Sequence, residues 1–319
     1  MIVDLPDTNT SAVSKSLVSI REEGGAVALG RVLTLVISTK LGEEEEAIEA
    51  ANDASREHPM RVIVLSTDRD HPDADPRLDA QIRVGGDAGA SEVVVLRAYG
   101  PTSTDQESLI TGLLLPDAPV VAWWPGNAPA NVSASPLGSM ATRRITDAAG
   151  DDPHRALQNL AAHYAPGDTD FAWTRLTLWR AQLAAVLDQP PYEPVTAVEV
   201  LGSAAAPSTL LLAAWLGLQL KVDVTLTLSE DGNAGIQGVH LHRRSGVIEL
   251  ERNVPNVATL VQPGQPTHDI ALPRRNLRDC LAEELRRLDP DDLYGEVIRK
   301  GVARLEQRAV SGSKSKAGR

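Results

Sequence analysis

Apolar positions along this chain alternate between strand-length blocks and helical spacing. Short apolar, β-branched runs fall at residues 32–38 (VLTLVIS), 61–66 (RVIVLS), 80–84, 93–99 and 120–124. Their length and composition predict buried strands. Between them the spacing turns helical. Val13, Leu17 and Ile20 predict a helix over 11–20, and Ala47, Ile48 and Ala51 one over 43–57. Leu109, Ile110, Leu113 and Leu114 predict another over 103–115. The four glutamates at 43–46 suit the positive end of a helix dipole and read as a solvated first turn. Residues 137–142 read as a helical turn and 143–146 as a short strand, then Asp152-Pro153 opens a helix to about 163. Residues 172–187 read as one continuous helix, closed by Pro190-Pro191. The second half repeats the pattern, with strands at 195–201 and 222–228, a helix at 207–217 and a hairpin of 236–243 with 247–252. Helices over 276–288 and 291–308 end the chain.

Strands alternating with helices imply an α/β protein. We expect two lobes, each a mainly parallel or mixed sheet flanked by helices. The divisions read from the sequence are an N-terminal segment 1–30, an α/β domain 31–190, a second α/β domain 191–306 and a disordered basic tail 307–319. A length of 319 residues supports two cores rather than one.

Charge and composition narrow the function classes. The formal net charge is −12, although residues 299–319 carry seven basic side chains against one acid. An acidic body disfavours nonspecific binding to nucleic acid or anionic membrane. The most apolar stretch, 210–220, is about half of the ~20 residues a membrane helix needs. The start, MIVDLPDT, lacks the pattern of a secretory signal, and a single cysteine, Cys280, excludes an intrachain disulfide. The expectation is a cytoplasmic protein that binds neither nucleic acid nor membrane.

Candidate chemistry concentrates in one stretch. Four of the five tryptophans, Trp123, Trp124, Trp173 and Trp179, lie between 119 and 180, together with Arg143, Arg144, Arg175 and Arg180. Trp and Arg are the types that most often anchor interfaces and anion sites. Trp123, Trp124, Arg143, Arg144, Asp147, Arg175, Trp179 and Arg180 are therefore the candidate residues for partner or anion binding. On a strand, Arg143 and Arg144 point to opposite faces. Each is open to two readings, an ion pair within the fold or a ligand for phosphate or carboxylate. Arg175 and Trp179 stand i, i+4 on the expected helix, which allows a guanidinium to lie over the indole. The tryptophans also have a plainer reading as core.

Other clusters carry less. His240 and His242 share one face of a strand, but Arg243-Arg244 beside them oppose a cation, so no metal is expected. Asp68 to Asp75 with His71 lacks the spacing of a calcium loop and reads as a flexible loop. The glycine-rich 85–90 is not a nucleotide fingerprint, and no cofactor motif follows any strand. Cys280 sits among acids that blunt a thiol. Ser139, Asp147 and His154 or His163 form no recognisable nucleophile elbow.

Three motifs stand in order: W-W-P-G at 123–126, P-L-G-x-x-x-x-R-R-I-T-D at 136–147 and W-T-R-L-x-x-W-R at 173–180. Together they resemble the glucose-6-phosphate dehydrogenase assembly proteins, the OpcA family. The resemblance implies a non-catalytic accessory role, without a cofactor of its own. It would bind glucose-6-phosphate dehydrogenase, favour the enzyme's active oligomer and so support NADPH supply by the oxidative pentose phosphate pathway. Photosynthetic members tie this role to thiol redox state, which a lone Cys280 does not support by an intrachain disulfide. The competing reading is an enzyme or metabolite sensor that binds a sugar phosphate through Arg143 or Arg144.

Overall fold

The computed structural model describes all residues except 24–31, 69–70, 72, 86–91, 150–151, 230–234 and 306–319. The basic tail, most of the glycine-rich stretch and part of the aspartate-rich loop lie outside the described residues. The chain forms two compact units. The first comprises Met1–Asp147, Gly167–Thr169 and Asn276–Pro290, the second Ala148–Pro166, Asp170–Arg275 and Asp291–Arg319.

An eight-stranded sheet underlies the first unit. Its strands are β1 (Ile2–Leu5), β2 (Leu33–Lys40), β3 (Met60–Thr67), β4 (Arg77–Val84), β5 (Glu92–Tyr99), β6 (Val120–Trp124), β7 (Arg143–Thr146) and β8 (Asp168–Asp170). Their order is β1-β4-β5-β3-β2-β6-β7-β8. The ladder from β5 through β3, β2 and β6 to β7 is parallel, while β4 and β1 are added antiparallel. Buried on both faces, the parallel strands need apolar residues at nearly every position, which is why their sequences read as unbroken runs.

Helix α1 (Thr10–Glu23) contributes Val13 and Leu17 to one buried cluster with Ile63, Ile82, Leu96 and Trp124 of this sheet. Helix α2 (Glu45–Ala54) buries Ala47, Ile48 and Ala51. The run at 43–46 is not a uniformly solvated turn. Glu44 is buried and ion-paired with Arg97 at 3.2 Å, whereas exposed Glu45 meets Arg83 at 2.6 Å. Consecutive helical residues point in different directions, so neighbouring glutamates meet different partners. The helix expected over 103–115 is shorter. A 3₁₀ turn at Gly100–Ser103 precedes α3 (Gln106–Thr111), which restarts because Asp105 caps the amide of Ser108. Helix α4 is Pro136–Met140, and helix Leu277–Arg286 also belongs to this unit.

The second unit carries a six-stranded sheet of β9 (Ala197–Ser203), β10 (Asp223–Ser229), β11 (Ile236–Arg243), β12 (Gly246–Val254), β13 (Val257–Val261) and β14 (His268–Ala271). Its order is β10-β9-β11-β12-β13-β14, with only β9 and β10 parallel. The hairpin of β11 and β12 forms as the sequence predicts. Strands β13 and β14 go unannounced by the sequence, because each is short and half exposed.

Helices α5 (Pro153–His163), α6 (Phe171–Thr174), α7 (Thr177–Leu187) and α8 (Pro207–Leu220) belong to the second unit. The stretch 172–187 is thus two helices. Asp170 caps α6 by accepting from the Ala172 amide at 2.8 Å, and α7 begins after Arg175 and Leu176. Trp173, Leu176, Trp179 and Leu183 join Val198, Leu211 and Leu250 in one core. The sequence pattern groups residues 148–190 with the N-terminal lobe, yet most of them pack in the second unit. Their apolar face matches the sheet that follows them, and the prolines at 190–191 mark a turn inside that unit.

Candidate functional site

The first two motifs build the interior of the first unit. Trp123 and Trp124 end β6, and both indoles are buried, at 0% and 2% exposure. Immediately before the arginines, Ser135 caps α4 by accepting from the Gly138 amide at 3.1 Å. A Cβ at Gly138 would lie 1.7 Å from the Val132 carbonyl oxygen, so the P-L-G motif needs glycine for a close backbone approach.

Arg143 and Arg144 occupy β7 and point to opposite faces, as alternation requires. Arg143 donates from Nη2 to Glu284 and from Nη1 to the Asp289 carbonyl at 2.8 Å. Arg144 donates from Nε to Asp168 and from Nη1 to the Ala141 carbonyl at 2.9 Å. All four side chains are at least nine-tenths buried. The network extends through Thr169, whose hydroxyl donates to Glu284 at 3.5 Å and whose carbonyl accepts from Thr146 at 3.2 Å. Both arginines are therefore structural cations. Neither serves as the open phosphate ligand that the competing reading required. Glu284 and Asp168 lie 141 and 24 positions away, too far for sequence spacing to announce the pairs. Asp147, half-buried, ends the motif.

The third motif is split between core and cavity. Trp173 is buried, donates from Nε1 to Asp291 at 2.8 Å and packs against Tyr294 at 5.8 Å between ring centroids. The guanidinium of Arg180 lies 3.8 Å from the Trp173 ring centroid. Trp179 is also buried, and Arg252 stands 5.1 Å from its ring centroid. Arg175 lies at the joint between α6 and α7, 5.9 Å from the Phe171 ring. Trp215 is half-buried on α8.

Arg175 and Trp179 border a cavity of about 410 Å³ inside the second unit. It is lined by the turn after β9 and the start of α8, Ala205 to Ser208, and by Gly235 and Ile236, which lie alongside the end of β9, with the Ser203 amide donating to the Gly235 carbonyl at 3.0 Å. Arg252, Arg274 and Arg275 complete the wall. Sequence reasoning finds Arg175 and Trp179 but misses the other three arginines. The Pro-Arg-Arg run at 273–275 is the available signal, yet its meeting with Arg252 depends on the order of β12, β13 and β14 in the sheet.

His240 makes a separate cluster on the second sheet. Its Nε2 lies 2.7 Å from Glu251 and its Nδ1 3.3 Å from Glu199. One donor atom each from His240, Glu249 and Glu251 lies within 4.8 Å of the others, whereas His242 is not part of the group. Both ring nitrogens already face carboxylates. Thr227 first, and His240 after it, hold the Glu199 carboxyl below its ordinary value by hydrogen bonding. Cys280 is fully buried within helix Leu277–Arg286. Among the described residues no helix is long and apolar enough to cross a membrane.

Two α/β units of this kind define a two-lobed α/β protein. The fold is shared with an oxidoreductase from Sinorhizobium meliloti, at TM-score 0.52 and 11% identity over 89% of this chain and 98% of that one. Two further likenesses are myo-inositol dehydrogenase from Lactobacillus casei (TM-score 0.45, 11% identity, 86% and 95% covered) and levoglucosan dehydrogenase (TM-score 0.44, 10% identity, 84% and 90% covered). A comparison with curated proteins gave no match. Family models identify the lineage. Residues 51–162 match the model for the N-terminal domain of the glucose-6-phosphate dehydrogenase subunit, and residues 166–298 match the model for its C-terminal domain. The chain belongs to the glucose-6-phosphate dehydrogenase assembly protein (OpcA) family.

Proposed function

We propose that this chain is a non-catalytic assembly factor that binds glucose-6-phosphate dehydrogenase and favours its active oligomer. The observation that carries the reading is the pair of family matches, which fall within residues 51–298 and name glucose-6-phosphate dehydrogenase. On this reading the protein works in the cytoplasm and supports NADPH supply through the oxidative pentose phosphate pathway.

An activator without chemistry of its own acts by differential binding. It must hold the active conformer or assembly more tightly than the inactive one. A coupling of about 1–3 kcal/mol changes substrate affinity roughly 5–150-fold. Of the residues expected at the partner face, Arg175, Arg180 and Asp147 keep partial exposure and remain candidates for direct contact. Trp123, Trp124, Arg143, Arg144 and Trp179 would contribute indirectly, by holding the strands and helices that present a surface.

The test is the initial rate of glucose-6-phosphate dehydrogenase from the same organism across glucose 6-phosphate concentrations, with and without this protein. A saturable fall in KM or rise in kcat, with co-elution of the two chains, is the expected result. Unchanged kinetics together with separate elution would overturn the reading.

A further inference from the structure

Four arginines line the cavity of the second unit, and among the described residues no lining side chain is acidic. Elsewhere the buried arginines of this protein meet carboxylates: Arg61 with Glu92, Arg143 with Glu284 and Arg144 with Asp168. Half-buried Arg252 differs. Its Nη2 donates to the Leu272 carbonyl at 2.8 Å, and its Nε is buried without an acceptor among the described residues. Burial, and after it the charge of Arg274, push its pKa down. A carboxylate partner acts in the opposite sense, as Glu45 does on Arg83. Arg252 and Arg274 stand as like charges at one concave, partly desolvated site, and an anion bound there would offset that repulsion.

The surroundings favour an anion of a particular kind. The turn Ala204 to Ala206 follows the carboxyl end of β9, which is paired in parallel with β10. Ligands of α/β sheets collect at such ends. Helix α8 starts there with Pro207, and its cap residue, Ala206, supplies no side-chain acceptor for the first-turn amides. Pro207 has no N–H and the Thr209 amide donates to the Ala206 carbonyl at 3.0 Å, so the Ser208 amide and the helix dipole are what favour phosphate there. Gly235, at φ +101°, brings backbone close, and Arg274 Nη1 stands 3.7 Å from where a Cβ on it would sit. The remaining wall is apolar, from Trp179, Ile236, Pro207 and Pro273. About 410 Å³ falls within the 300–1,000 Å³ range of small-ligand pockets.

We propose that this cavity binds a small organic phosphate. Arg175, Arg252, Arg274 and the start of α8 would hold the phosphoryl group, with the organic body against Trp179 and Ile236. Guanidinium forks match phosphate oxygens in pairs, and the apolar wall adds recognition that inorganic phosphate cannot use.

Calorimetric titration of the full chain with inorganic phosphate, glucose 6-phosphate and glucose tests this without any dehydrogenase present. A failure here is therefore distinct from a failure of the assembly reading. Saturable binding of one glucose 6-phosphate per chain is expected, tighter than inorganic phosphate, with no binding of glucose. Arg274→Ala removes an exposed side chain and leaves the fold intact, and Arg252→Lys keeps the charge but not the fork. Each should weaken glucose 6-phosphate binding about tenfold or more, the usual size of a lost charged hydrogen bond. Arg244→Ala, at an exposed turn of the same unit, should change nothing. No binding of either phosphate, equal affinities for the two, or full affinity in both cavity variants would each overturn the proposal.

Discussion

Arg143 on β7 and Glu284 on the helix Leu277–Arg286 form a buried ion pair, and the same guanidinium reaches the Asp289 carbonyl. The pair fastens a segment near the C-terminus to a sheet whose strands all lie within residues 1–170. Glu284→Ala would leave Arg143 as a buried, uncompensated charge. The expected loss is about 3–5 kcal/mol in urea unfolding. Replacing both partners, as Arg143→Met with Glu284→Leu, should cost much less. Equal losses for the single and double variants would show that the ion pair is not what the fold relies on.

Trp124→Ala should behave as a core truncation. The indole is 2% exposed and belongs to the same buried cluster as Ile63, Leu96 and Leu137, so a loss of about 3–5 kcal/mol is expected. Any loss of dehydrogenase activation in this variant should accompany the loss of folded protein seen by circular dichroism. A fully stable variant that fails to activate would instead place Trp124 at the partner.

Gly138→Ala introduces a methyl group against the Val132 carbonyl. The opposing atom is backbone and cannot swing aside. Overpacking of this kind costs at least about 1–3 kcal/mol, although alanine is otherwise the better helix former. Thermal unfolding of the variant at or above the parent temperature would show that the turn before α4 relaxes freely.

The Glu45–Arg83 contact should make a small part of stability depend on pH. Hydrogen bonding to Arg83 lowers the Glu45 pKa in the folded state from 4.5. A depressed carboxylate stabilises fully above the unfolded value, and that contribution disappears as pH falls through the folded one. Glu45→Gln should therefore melt below the parent at pH 7, with the gap closing as pH falls below the unfolded value of 4.5 and through the lower folded one. The side chain is 61% exposed, so the effect stays within about 0–1 kcal/mol and shrinks in salt. A gap that persists unchanged at low pH would assign it to something other than the charge.

What the sequence determined by itself was local in origin. The apolar runs of β2, β3, β5 and β6 announced strands because burial on both faces leaves no room for polar positions. Asp152-Pro153 announced the start of α5, and the aspartate does cap it, accepting from the His154 amide at 3.0 Å. Three ordered motifs were enough to indicate the family, since a lineage is written in residue identities. Only the tertiary structure decided what those motifs do. Arg143 and Arg144 looked equally fit for ligand or ion pair until Glu284 and Asp168 arrived beside them from distant positions. The Pro-Arg-Arg run at 273–275 was the one local signal, and it pointed nowhere until strand order brought Arg252 and Arg274 to the cavity that Arg175 borders. An isolated guanidinium has the same chemistry everywhere. Its role depends on burial and on the charge of its neighbours, and both are settled by folding.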